Sequence, residues 1–114
     1  MNVNVQLRED EKIIKGFVEG EIDTFTAPIL RDELDSIPLS EGLTIEINLS
    51  KVTYMDSTGL GIFVAFYKKA VREKVVLKLV GLTSRLARLF EITGLKELMI
   101  VEEDEKVELS NERI

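Results

Sequence analysis

The stretch SKVTYMDSTGLGIFVAFYKKAVREK, Ser50 to Lys74, contains the boundary that decides the fold. Just before it, from Leu43 to Leu49, apolar and polar residues alternate, which predicts a strand with one buried face. After Asp56, apolar residues recur about every 100° of rotation, which predicts a helix. The predicted apolar stripe of that helix consists of Leu60, Phe63, Val64, Tyr67 and Val71. The intervening residues, SKVTYMD, are predicted to form a loop.

The residues upstream of this boundary predict a hairpin and a helix. Two strands, 2–7 and 13–20, are joined by the polar turn REDEK. The candidate caps of the helix that follows are Asp23, Thr24 and Thr26, with Pro28 in its first turn. Its predicted buried face is formed by Ala27, Leu30, Leu34 and Ile37. Pro38 and Gly42 are predicted to end it.

The residues downstream predict a strand, a helix and a last strand. The first strand covers 75–80. Thr83 or Ser84 caps the next helix, and Gly94 suits the position after its end. The predicted core face of that helix consists of Leu86, Leu89 and Phe90. The final strand candidate is ELMIV, 97–101.

This element order, β-β-α-β-α-β-α-β with an optional C-terminal helix, predicts an α/β fold. The opening hairpin is antiparallel, while strands joined through helices pair in parallel, so we expect one small mixed sheet with helices packed against it. The chain of 114 residues has the size of a single domain. We predict a domain over 1–101 and an acidic tail or short helix over 102–114, and we expect the tail to be solvated and dispensable.

The composition excludes several kinds of chemistry. The chain has no Cys and no His, which removes disulfides, thiolate zinc sites and the Ser-His-Asp triad. The formal net charge of −6 argues against a nucleic-acid partner, because phosphate binding needs a basic face. No apolar run has the length of about 18–20 residues that spans a membrane, and the N-terminus has no signal-peptide core. We therefore expect a cytoplasmic protein.

The corner DSTGLG, 56–61, has two interpretations. Asp, Ser and Thr are all favoured helix caps and Gly allows a tight entry into a helix, so the corner could be purely structural. It could also carry a phosphate on a hydroxyl, because a helix N-terminus favours negative charge by about 0.3–1 kcal/mol. Nucleotide binding is disfavoured, since the G-x-x-x-x-G-K-[ST] pattern is absent and no Lys or Arg lies within the corner.

Two apolar residues of the predicted helix after the corner lie off its stripe. Ile62 and Phe66 are displaced from the Leu60–Phe63 side by about a third of a turn or more. They either pack under a neighbouring helix or form an apolar patch that a partner covers. Tyr54 and Met55 could extend such a patch, or belong to the core.

Three segments together resemble a known family. GEIDTFTAPILRDEL, YMDSTGLGIFV and LTSRLARLFEITGL are similar to the anti-sigma factor antagonists of the STAS domain class, over the chain as far as about Met99. The resemblance is greatest to the antagonist of the general stress pathway of Gram-positive bacilli, and the sporulation-type antagonist is the alternative. It implies a phosphorylation site at Ser57, a partner that is both an anti-sigma factor and a serine kinase, and a serine/threonine phosphatase that reverses the modification.

The predicted partner surface combines this resemblance with the corner. Its residues are Asp23, Asp56, Ser57, Thr58, Gly59, Gly61, Ile62 and Phe66. No cofactor, metal or catalytic activity is expected, and a monomer or weak dimer suffices. Two other hypotheses stay open: a scaffold subunit of a large stress-signalling assembly, and a small enzyme that uses the carboxylates of Glu21, Asp23 and Asp56.

Overall fold

Strands and helices alternate along the chain in the computed structural model, which describes residues 3–94 and 100–103. The strands are β1 (Val3–Asp10), β2 (Ile13–Ile22), β3 (Thr44–Met55), β4 (Val76–Leu82) and β5 (Ile100–Glu103). The helices are α1 (Ala27–Asp35), α2 (Ser57–Arg72) and α3 (Ser84–Ile92). The predicted element order is confirmed. The optional C-terminal helix lies outside the described residues, and β5 takes in residues 102 and 103, which composition had assigned to the tail.

The described strands form one mixed sheet whose spatial order follows the chain, β1-β2-β3-β4-β5. β1 pairs antiparallel with β2, and the later neighbours all pair in parallel. Each parallel pair is joined by a crossover helix. Right-handed crossovers that all step in the same direction place their helices on the same side of a sheet. One face of this sheet therefore carries all three helices, α1, α2 and α3.

The side chains of β3 show which face the helices cover. Ile45, Ile47 and Leu49 are buried, whereas Glu46 and Asn48 between them are partly exposed. On the covered side, the rings of Phe63 on α2 and Phe90 on α3 meet edge to face, with their centroids 6.3 Å apart. Among the described residues, no helix covers the opposite face of the sheet.

Residues 50–55 continue β3, so the prediction of a loop there was wrong. They pair with the end of β2, up to the partners Ile22 and Met55. At two places β3 advances one residue more than β2, and these irregularities shift the buried positions of β3 from every second residue to 49, 52 and 55. Buried residues three positions apart do not show the alternation of a strand. The pattern of alternating residues therefore did not predict that β3 continues through residues 50–55.

The predicted stripe of α2 was wrong only at its C-terminal end. Leu60 and Phe63 are buried as expected. Val64 and Tyr67 are partly buried against the core. The last stripe residue, Val71, is exposed, and Phe66 and Ala70 are buried on the neighbouring side of the helix. α1 packs beside α2 and covers the side that Phe66 occupies, because Phe66 and Leu34 of α1 line the same groove. Packing under a neighbouring helix is one of the two alternatives that the sequence left open for Phe66.

The hairpin is longer than predicted. β1 and β2 pair from Val3 and Gly20 up to Asp10 and Ile13, so the turn is reduced to residues 11 and 12. Glu11 adopts a φ of 50°, which allows this tight reversal. Most of the charged segment REDEK is therefore strand, and charged side chains are common on an edge strand such as β1 because they discourage pairing with other chains.

Candidate functional site

The candidate site lies where the parallel strands β2 and β3 end. Asp23 follows β2 and Asp56 follows β3, and the last pair of the two strands joins Ile22 to Met55. The Asp56 N–H donates to the Ile22 carbonyl at 3.2 Å. The structure therefore brings the GEID segment and the DSTGLG corner together at one edge of the sheet, as predicted.

Asp56 is the cap of α2. Its backbone is extended, and its Oδ1 accepts hydrogen bonds from the N–H groups of Thr58 at 2.9 Å and Gly59 at 3.1 Å. Two of the free N–H groups at the helix start are satisfied in this way. Capping accounts for the carboxylate of the corner, while neither hydroxyl makes a hydrogen bond within the residues that the structure describes.

Ser57 is the first residue of α2 and its side chain is exposed. Within the described part of the chain, its hydroxyl makes no hydrogen bond. The first turn of α2 contains no acidic side chain. A phosphate on Ser57 would meet the positive end of the helix, which favours it, and the Asp56 carboxylate next to it, which opposes it. Thr58 is exposed as well, so geometry alone does not single out one hydroxyl.

Asp23 is buried, with only 6% of its surface exposed. Its Oδ1 accepts from the N–H groups of Phe25 at 2.9 Å and Thr26 at 3.0 Å, and its Oδ2 has no hydrogen-bond partner among the described residues. The Thr26 N–H, together with the Phe25 N–H, lowers the pKa of the Asp23 carboxyl, although burial opposes this shift. Asp23 shapes the turn before α1 and does not cap the helix directly, because the N-cap residue is Thr26.

The Thr26 hydroxyl ties this turn to β2. It donates to the Glu21 carbonyl at 2.7 Å and accepts from the Asp23 N–H at 2.9 Å. The Ala27 N–H donates to the Asp23 carbonyl at 2.8 Å. Asp23 and Thr26 thus hold each other in place, and the turn between β2 and α1 has a single defined backbone conformation.

An open cavity of about 300 Å³ lies beside the corner. Its lining residues are Glu21, Asp23, Thr24, Phe25, Tyr54 and Asp56. The two aromatic side chains are conspicuous, because Phe25 is 83% exposed and Tyr54 is 47% exposed. Sequence reasoning missed Phe25. A large apolar residue between two threonines in a polar turn was the available signal.

The two glycines of the corner have different surroundings. A Cβ on Gly59 would lie 2.5 Å from Ile22 Cγ2, whereas a Cβ on Gly61 would have no described atom within 4 Å. Gly59 therefore serves the packing of α2 on β2. Gly61 leaves open space on the outside of α2, where a partner could approach.

Of the other residues predicted for the partner surface, some line a groove beside α2 and one belongs to the core. Ile62 and Gly61 line a shallow groove of about 290 Å³ between α1 and α2. Phe66 also borders this groove but is only 3% exposed. Of its two interpretations, the structure favours core packing for Phe66, while Ile62 stays accessible to a partner. Met55 is buried, so of the two residues considered for an extended patch only Tyr54 is exposed.

Three acidic side chains lie close together at this edge of the sheet. Glu21, Asp23 and Asp56 line one cavity, yet no group of three potential ligands is placed to hold a metal ion in the part of the chain that the structure describes. None of the described helices is long and apolar enough to cross a membrane.

Comparison with known families identifies the class of protein to which this fold and this corner belong. The STAS domain family matches residues 4–110, nearly the whole chain. The chain belongs to the STAS domain family, and the resemblance noted in its three sequence segments is confirmed.

Individual relatives indicate which kind of STAS protein this chain is similar to. The chain is 47% identical to the "Anti-sigma-B factor antagonist" of Bacillus subtilis over 100 residues, covering 87% of this chain and 90% of the relative. It is 42% identical to the protein of the same name from Staphylococcus aureus over 108 residues, covering 95% and 100%. Among solved structures, an anti-sigma factor antagonist from Mycobacterium paratuberculosis superimposes with a TM-score of 0.76 at 26% identity, covering 99% of this chain and 96% of the other.

Proposed function

We propose that this protein is an anti-sigma factor antagonist of the general stress type, and that phosphorylation of Ser57 controls it. In the unphosphorylated form it binds an anti-sigma factor that is also a serine kinase, and the sigma factor is released. The kinase then transfers phosphate from ATP to Ser57, which ends the interaction, and a serine/threonine phosphatase restores it. The similarity to the anti-sigma-B factor antagonists supports the partner class and favours the stress type over the sporulation type.

One observation carries the role of Ser57. Its hydroxyl is exposed at the first position of α2 and makes no hydrogen bond to any described residue, while the neighbouring Asp56 performs the capping. A kinase can therefore take the Ser57 oxygen as its acceptor without removing a bond that holds the fold. The division of tasks between these two residues is what a modification site on a stable scaffold requires.

The switch acts through charge and bulk at a docking surface. Phosphate adds about −1.5 to −2 charges to Ser57, next to the Asp56 carboxylate, on a chain whose net charge is already −6. Weakening a complex from micromolar to millimolar Kd takes about 4 kcal/mol. Repulsion and steric conflict at a desolvated interface can supply this amount.

The chemistry of the cycle belongs to the partners. The kinase supplies ATP and the phosphatase supplies its own metal, so this chain contributes an acceptor hydroxyl and a surface. Both tasks are performed without His or Cys, the residue types that the sequence lacks. We place the cycle in the cytoplasm, where sigma factors act.

The test compares Ser57→Ala and Ser57→Asp as baits in a pull-down from cells of the source organism, with the retained proteins identified by mass spectrometry. We expect Ser57→Ala to retain an ATP-binding anti-sigma factor kinase and Ser57→Asp to lose it. With the kinase purified, Kd is then measured by calorimetry, and we expect it to rise at least tenfold in Ser57→Asp, which corresponds to about 1.4 kcal/mol.

Thr58→Ala is the matched control, because Thr58 is the adjacent exposed hydroxyl. Incubation with the kinase and ATP should phosphorylate wild type and Thr58→Ala at Ser57, and leave Ser57→Ala unmodified. Equal kinase affinity of the Ala and Asp forms would refute the switch. If the chain instead sediments as a large homo-oligomer and retains no kinase, the scaffold hypothesis takes its place.

A further inference from the structure

Phe25 is left outside the core at a position that normally packs inward. It directly precedes Thr26, the N-cap of α1, and such a residue commonly packs on the fourth helical residue, here Leu30. Leu30 is fully buried, but Phe25 is not folded over it and stays 83% exposed. Burying a Phe side chain stabilises the folded state, and the free protein forgoes most of this gain.

The backbone beneath Phe25 is held firmly. The Phe25 N–H donates to Asp23 Oδ1 at 2.9 Å, and the Thr26 N–H donates to the same oxygen at 3.0 Å. The Thr26 hydroxyl fastens the turn to the Glu21 carbonyl at 2.7 Å. The aromatic ring is therefore presented from a rigid turn, and its backbone has little entropy to lose on binding.

The surroundings of Phe25 indicate what kind of surface it meets. Tyr54, at 47% exposure, lines the same cavity, and aromatic residues are enriched at protein interfaces. The charged residues of the lining are Glu21, Asp23 and Asp56, and no cationic side chain is among them. Asp56 makes the surface continuous with Ser57. The fitting partner surface is an apolar cleft with a cationic rim.

We infer that Phe25 is the apolar anchor through which this protein docks on the anti-sigma factor kinase, and that Asp23 is the positioning residue that holds Phe25 outward. This inference rests on the proposed function and names the partner contact of the same site. The carboxylate of Asp23 is buried, so it acts on the partner through the turn. Binding affinity then comes mainly from Phe25, and the charge state of Ser57 switches it.

The first test measures Kd for the purified kinase by calorimetry in a Ser57→Ala background, which keeps the antagonist unphosphorylated. We expect Phe25→Ala to raise Kd at least tenfold, as an interface anchor does. Ile92→Ala is the matched control: Ile92 is also exposed, but it lies at the end of α3 opposite to the edge where the site is found. We expect its Kd to stay within twofold of the parent.

The second test asks whether Asp23 acts through Phe25. Asp23→Ala should weaken binding, and Asp23→Asn, which keeps an acceptor oxygen for the two N–H groups, should restore most of the affinity. When Phe25→Ala is already present, adding Asp23→Ala should raise Kd by less than about twofold further. The reason is that the anchor positioned by Asp23 is already gone. Circular dichroism and thermal unfolding verify that each variant is folded.

The outcomes separate this inference from the proposed function. If the Ser57→Ala parent does not bind the kinase, the proposed function fails. If the parent binds and Phe25→Ala binds equally well, only the anchor fails. If the fold-changes in Kd caused by Asp23→Ala and Phe25→Ala multiply in the double variant, Asp23 contacts the kinase itself. Loss of self-association in Phe25→Ala, seen by sedimentation with kinase affinity unchanged, would assign Phe25 to a contact between copies of this chain and overturn the inference.

Discussion

Gly59 and Gly61 stand two residues apart at the start of α2, and their surroundings give them different tasks. Besides its 2.5 Å approach to Ile22, a Cβ at Gly59 would lie 2.9 Å from Met55 Cγ. Both neighbours are buried, so neither has free space into which it could move. At Gly61 the added carbon would face open space.

We predict opposite effects of the same substitution at these glycines. Gly59→Ala should lower the free energy of unfolding by about 1–3 kcal/mol, because it forces core side chains apart. Gly61→Ala should raise it by about 0.5–1 kcal/mol, since alanine favours a helix over glycine. Urea unfolding monitored by circular dichroism measures both. An unchanged free energy of unfolding in Gly59→Ala would mean that α2 can move away from β2.

The residue scale also shows where sequence reasoning stops. The positions of Asp23, Asp56 and Ser57 near helix starts could be predicted, because hydroxyl and carboxylate residues there form short, local patterns. Whether a glycine or phenylalanine faces the core or the solvent depends on strands distant in sequence. The 3% exposure of Phe66 depends on α1 packing against α2, which no local pattern encodes. The exposure of Phe25 had only a weak local signal, its place between two threonines in a polar turn.

At the scale of elements, the start of α2 assigns the capping of the helix and the proposed modification to two different residues. Asp56 supplies the two capping bonds, and Ser57 supplies none within the described residues. The helix is therefore anchored by a residue other than the proposed phosphorylation site. A phosphate on Ser57 would change the surface of the protein while the helix beneath it persists.

Stability measurements test this separation. Asp56→Ala should lower the free energy of unfolding by about 0.5–2 kcal/mol, the usual effect of losing a cap. Ser57→Ala should change it by less than about 0.5 kcal/mol, as for other exposed positions. Both values come from chemical unfolding curves. A Ser57→Ala effect as large as that of Asp56→Ala would return Ser57 to a structural role.

The elements that were predicted well are those whose signals are local. α1 has Pro28 in its first turn and three buried residues at helical spacing, and α3 has the Thr83 cap and Gly94 after its end. The end of β3 was missed because its pairing with β2 is irregular and its buried residues fall three apart. Such irregular pairing is set by the partner strand, which the sequence of β3 alone does not reveal.

At the scale of the whole molecule, the helices that the structure describes lie on one side of the sheet. In this described part of the chain the strand order never reverses, so its helices do not diverge to opposite faces and leave a crevice for a small ligand. The candidate site is instead an open edge, formed by two turns and the start of a helix. An open edge of this kind suits a macromolecular partner.

Substitutions on neighbouring residues of β3 test the one-sided arrangement. Ile47 is fully buried under the helices, and Glu46 points to the other face. Ile47→Ala should lower the free energy of unfolding by about 2–5 kcal/mol, as core truncations do. Glu46→Ala should lower it by less than about 1 kcal/mol. Comparable losses at both positions, measured by urea unfolding, would show that the second face is also packed.

The strand order also bears on how the chain is made. Each strand pairs with the one synthesised just before it, so every new βα unit adds to an edge that already exists. The turn after β2, the end of β3 and the start of α2 all precede Arg72, well before the ribosome reaches β5. The residues of the proposed switch thus emerge in the first two-thirds of translation, and the strands that follow extend the sheet on its far side.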